Sequence, residues 1–167
     1  MTNTLTLSTV FIIAAVISII MINFFVNLIY RKKLKFEESK KSLNLFKAGN
    51  IFSFFILFIT LKTPFDHFME NTRSMNLGKD IMSKSISYFV LFLFICYVFH
   101  LINVLMTNFL FKIISNGINL VESIKENQTE NIILFISILI CLSLVIQNHI
   151  PDIFDLLIPY PKTPIFR

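Results

Sequence analysis

Residues 88–111, YFVLFLFICYVFHLINVLMTNFLF, contain no Lys, Arg, Asp or Glu across 24 positions. A helix that crosses the hydrocarbon core needs about 20 mainly apolar residues, so this stretch is long enough to span a bilayer. It is not uniformly apolar. Cys96, His100, Asn103 and Thr107 are spaced four, three and four apart, which places them on one face of a helix. Polar groups in lipid are costly unless they find partners, so that face is expected to point into a helix bundle or a wet cavity.

Three further apolar runs flank this one. Residues 8–30 form a first candidate span, closed by Arg31, Lys32 and Lys33. Residues 48–61 form a second, bracketed by Lys47 and Lys62, whose long side chains can snorkel to the interface. Residues 131–150 form the last. The N-terminal run lacks a basic leading segment and is too long for a cleaved signal, so it reads as a retained helix. Residues 63–84 read as a polar connection interrupted by Pro64 and Gly78, and 112–130 as another. In the latter, Ile114, Ile118, Val121 and Ile124 make an apolar stripe suited to a short surface helix. The tail 151–167 carries four prolines and is expected not to continue as helix.

Composition agrees. The 167 residues are 55% hydrophobic and 15% charged, too apolar for a soluble domain of this size to hide. Lipid is the expected solvent, and the skew toward Phe, Ile, Asn and Lys suggests an AT-rich bacterial genome. The net charge of +5 does not point to nucleic acid. Most of it lies in Arg31, Lys32, Lys33, Lys35, Lys40 and Lys41 beside the first span, a pattern that sets topology and meets anionic headgroups. Nine Lys and Arg fall in the first and third connections and six on the opposite side. Both hairpin connections are therefore expected in the cytoplasm and both termini outside. Cys96 and Cys141 lie in apolar runs without a spacing motif and read as free, buried small hydrophobes.

An internal repeat organises the chain. Met21-Ile22-Asn23 with Asn27 resembles Leu101-Ile102-Asn103 with Thr107, and the segment from Lys47 to Ile56 resembles that from Lys125 to Leu134. The expected fold is all-α: one membrane domain over 1–167, with four transmembrane helices as two tandem hairpins, N-out and C-out. The repeats cover about 8–62 and 85–150, and an extracytoplasmic Pro-rich tail follows. A duplicated two-helix unit carrying Lys47, Gly49 and Asn50 in one copy and Glu122, Ile124, Lys125 and Asn127 in the other resembles the bacterial inner-membrane family called "domain of unknown function 350". The resemblance implies a multi-pass inner-membrane protein and no established activity.

The candidate site is a polar seam. Asn23 and Asn27 share a face of the first span, Asn50 and Ser53 of the second, Cys96, His100, Asn103 and Thr107 of the third, and Ser137 and Cys141 of the fourth. These neutral groups suit either interhelical hydrogen bonding or the lining of a pore. An ionisable residue in mid-membrane, such as His100, is a functional candidate by default. Asp66, His67 and Glu70, with His149, do not form a recognised metal-ligand spacing. The chain has no phosphate-binding loop, nucleophile elbow or zinc-protease motif, and no carboxylate inside a span. No catalysis, cofactor or metal is expected. The leading expectation is a non-catalytic inner-membrane subunit that forms homo-oligomers or scaffolds other membrane subunits. The alternative is a membrane-permeabilising effector, of the kind found in defence systems, lined by the His100 face.

Overall fold

The computed structural model describes residues 2–34, 41–74 and 81–157, and every regular element among them is helical. In chain order these are α1 (Thr2–Leu34), α2 (Lys41–Ile59), α3 (Lys62–Ser74), α4 (Ile81–Ile114), α5 (Leu120–Lys125), α6 (Thr129–Gln147) and α7 (Ile150–Asp155). Four segments are long and apolar enough to cross a membrane: Thr9–Leu28, Lys41–Asn71, Lys84–Ile114 and Thr129–Gln147. Their outward faces are bare hydrocarbon. Ile12, Ile20, Phe94, Leu105, Phe109 and Val145 are each more than half exposed. Soluble monomers rarely expose apolar patches beyond a few hundred Å².

Helix α2 is the hub. It packs on α1, α4 and α5, and most extensively on α6. Gly49 lets α6 approach the α2 backbone, and a Cβ there would lie 2.5 Å from the Cγ1 of Ile136. Elsewhere the bundle is filled by phenylalanine. Phe135 meets Phe46 at 5.5 Å and Phe111 at 5.8 Å between ring centroids. Such pairs contribute about 0.5–1.5 kcal/mol beyond burial alone.

At one end of the bundle the expectation of a polar connection over 63–84 is corrected, because Lys62–Ser74 is helical. Pro64 has no N–H to give the carbonyl of Thr60, four residues back. The helix therefore breaks there: Thr60 N and Leu61 N bond the carbonyls of Leu57 and Phe58 at 3.3 and 3.1 Å, a tightened last turn. The chain then restarts as α3, with Leu61, Phe65 and Phe68 buried at the four-and-three spacing of one helix face. Phe68 stacks on Tyr88 at 4.2 Å, and Phe65 meets Phe89 edge-on at 5.4 Å. The tail expectation is corrected too. Pro151 stands in the first turn of α7, where a missing N–H costs nothing. Phe154 is fully buried and lies 4.5 Å from Phe92. Residues 158–167 of the tail lie outside the described residues.

The other end is closed by α5. Asn116 and Gly117 take positive φ (55° and 89°) to turn the chain out of α4, and the Asn119 side chain caps α5 by accepting from Val121 N at 3.1 Å. The expected single stripe is corrected: Ile114 and Ile118 are exposed while Ile124 is buried. The turn separates them because α4 runs on to Ile114. Asn127, at φ 57°, accepts from the backbone N of Ser42 at 3.0 Å, and the Ser42 hydroxyl donates to the Ile124 carbonyl at 3.1 Å. A distant segment thus satisfies one of the N–H groups left over at the start of α2.

Candidate functional site

Three spans meet at one hydrogen-bonded point. Ser53 of α2, Asn103 of α4 and Ser143 of α6 are all fully buried. Asn103 Nδ2 donates to Ser143 Oγ at 2.7 Å and to the Leu139 carbonyl at 3.3 Å, and lies 3.5 Å from Ser53 Oγ. The two serine hydroxyls are 2.6 Å apart. Ser143 Oγ donates to the Leu139 carbonyl at 2.8 Å, which leaves Ser53 to donate to Ser143. One proton arrangement therefore satisfies every donor in the set.

Other polar atoms along this face of α4 are less well served. His100 Nδ1, Asn103 Oδ1 and Thr107 Oγ1 are buried without a hydrogen-bond partner among the described residues. All three are on the same face of α4. The His100 ring is edge-on to Phe54 at 5.6 Å, and one turn earlier the Cys96 thiol points at the Leu57 carbonyl, 3.7 Å away. Asn50 is buried on α2 and donates to its own Phe46 carbonyl at 2.9 Å.

Not every residue of the predicted seam turns inward. Asn23 and Asn27 lie on the exposed side of α1. The buried face of that helix is Ala14, Ser18, Ile22 and Val26, where small residues permit close approach. Ser137 and Cys141 are exposed on α6, so Cys141 is a free outward thiol and not a buried one. Ser137 needs no neighbour because its hydroxyl donates to the Ile133 carbonyl at 2.9 Å. The buried face of α6 is Ile132, Phe135, Leu139 and Ser143. Ser143 is the residue that sequence reasoning missed, and its signal was its place in that three-four-four series. Of the basic cluster, Arg31, Lys32 and Lys33 fall in α1, Lys41 is exposed at the start of α2, and Lys35 and Lys40 lie outside the described residues.

Chemically the centre holds neutral amides, hydroxyls, one thiol and one imidazole. The buried polar side chains among the described residues include no carboxylate, ammonium or guanidinium. No three His, Cys, Asp or Glu among the described residues are grouped to hold a metal ion. The chain matches no protein-family model, no curated protein and no solved structure.

Proposed function

We propose that this chain is a non-catalytic multi-pass protein of the bacterial inner membrane that associates with copies of itself or with other membrane subunits. The observation that carries the proposal is the outward placement of Asn23 and Asn27, one turn apart on an apolar span. An amide facing acyl chains is unfavourable, and helix association that pairs it across an interface removes that cost. The proposed orientation is N-out and C-out. The clustered Arg31 to Lys41 charges favour it, and the grouping of elements is consistent with two hairpins: α5 meets the start of α2 at one end of the bundle, while α3 and α7 pack together at the other.

The test is the oligomeric state in native lipid. The intact chain is expected to run as a dimer or larger assembly, and Asn23→Leu with Asn27→Leu to shift it toward monomer. Amide pairs of this kind contribute about 0.6 kcal/mol each, reaching roughly 1.7. A chain that is monomeric in lipid before any substitution overturns the proposal.

A second reading, a permeability effector, is favoured by the three unpartnered polar atoms of His100, Asn103 and Thr107 on one face of α4. Water or ions entering along that face would supply the missing partners. Under this reading, expression depolarises the host membrane, and His100→Leu restores the potential. An unchanged potential on expression excludes it.

A further inference from the structure

Helices α1 and α4 touch at one end and part toward the other. Phe11 and Phe89 meet edge-on at 5.2 Å, and beyond that contact a cleft of about 1040 Å³ opens between the two helices and ends at α5. Met21 and Phe25 form one wall and Leu101 and Leu105 the other, with Phe46 and Phe135 between them. The four wall residues are themselves exposed at the surface. The cleft therefore opens sideways, toward the lipid side of the bundle.

Its polar groups are unevenly placed. Lys112 and Lys125 both line the α5 end and both are exposed, with Asn108 and Asn119 beside them. Among the described residues the other ionisable linings are His100 and Tyr97, deeper along α4. An apolar slot with cations at one end complements an amphiphile with an anionic head.

Length accommodates one acyl chain. From Lys112 back to Leu101 along α4 is about 17 Å at the helical rise. One leaflet contributes about 15 Å to the hydrocarbon core. A lipid anchored by its phosphate at Lys112 would thus end its acyl chain near Leu101, before the seam closes toward Phe11 and Phe89.

We propose that this cleft binds a single anionic glycerophospholipid, with one acyl chain between α1 and α4 and its phosphate held between Lys112 and Lys125. The proposal rests on the membrane reading above but not on self-association. Asn23 and Asn27 do not line the cleft, so the outward amides and the lipid occupy different faces of α1.

The experiment is native mass spectrometry of the full chain released from nanodiscs made with phosphatidylglycerol or phosphatidylcholine. One phosphatidylglycerol per chain is expected to stay bound, with phosphatidylcholine lost. Each lysine at an anionic headgroup strengthens attraction by roughly fivefold, so Lys112→Gln with Lys125→Gln should weaken retention about 25-fold. Leu105→Trp narrows the slot while leaving both lysines in place, and should also release the lipid. Added inorganic phosphate should not compete, because it brings no acyl chain. Equal retention of both lipids, retention unchanged in both variants, or no bound lipid overturns the proposal. So does a cleft filled instead by a second copy, which cross-linking between Leu105→Cys and Met21→Cys chains would reveal. If the chain fractionates as soluble, the membrane reading fails as well; if it stays in the membrane without retaining lipid, only this inference fails.

Discussion

Gly49→Ala should loosen the bundle by about 1–3 kcal/mol, the usual cost of forcing a methyl group into a packed interface. A Cβ at this position would sit 2.5, 2.8 and 2.9 Å from Cγ1, Cδ1 and Cγ2 of Ile136. Nearly the whole isoleucine side chain would have to move. Ile is β-branched and holds one strongly preferred χ1 in a helix, so rotation that frees one γ-carbon brings in the other. In water, Gly→Ala in a helix interior gains about 1 kcal/mol of propensity. That gain shrinks in a membrane, because a span must satisfy its own backbone and is helical before the bundle assembles. Overpacking therefore wins, and the sign is destabilising. Reversible unfolding in mixed micelles measures it, and a second variant identifies the cause. Ile136→Ala removes all three clashing carbons, so Gly49→Ala should cost little when made in the Ile136→Ala background, a coupling within the 0.5–3 kcal/mol range of residues in contact. Additive losses would place the cost elsewhere than at the α2–α6 seam.

The α4 face shows what the sequence makes legible. Cys96, His100, Asn103 and Thr107 are all buried, and they stand out because the 24-residue run that contains them carries no Lys, Arg, Asp or Glu and few other polar groups. A period of three and four can then be read from a handful of residues. The first span defeated the same reasoning. Its circumference is apolar almost all round, so two amides do not fix which side packs. The side that packs is Ala14, Ser18, Ile22 and Val26. On α6 two polar series compete, Ser137–Cys141 and Ser143. Polarity alone cannot choose between them, because a serine in a helix can satisfy itself on its own backbone, as Ser137 does.

The elements at the bundle ends were harder for another reason. Polar and charged residues such as Asp66, His67 and Glu70 disguised the Leu61–Phe65–Phe68 series that makes α3 amphipathic. Pro64 and Pro151 read only as ends of helical structure, whereas each follows the end of one helix and stands in the first turn of the next, where proline is tolerated. The aligned segments of the sequence repeat also occupy unlike surroundings. Asn103 is buried at the junction of three spans while Asn23 is exposed. Gly49 and Asn50 lie within α2, whereas Asn127 lies in the turn before α6. Spacing along the chain does not carry a side chain's neighbours with it.

Asn103→Leu is expected to destabilise the bundle by about 1–2 kcal/mol, at the upper end for interhelical hydrogen bonds in membranes. The amide is the one donor that α4 sends to α6 at this point, through Ser143 Oγ at 2.7 Å and the Leu139 carbonyl at 3.3 Å. Leucine severs both. It leaves Ser53 and Ser143 able to bond each other, and Ser143 able to bond Leu139, so the damage is confined to the α4 side of the junction. One term works the other way: Asn103 Oδ1 has no partner among the described residues, and its removal returns part of the loss. The net cost is for that reason placed no higher. Ser53→Ala provides the comparison. It deletes one donor while Asn103 and Ser143 keep each other and the Leu139 carbonyl, so its cost should lie near 0.6 kcal/mol, the average for such bonds. Unfolding in mixed micelles, with helicity followed by circular dichroism, should rank Asn103→Leu above Ser53→Ala while the helical content of the folded state stays constant. Equal losses would mean that the serine pair, and not the amide, holds the three spans together.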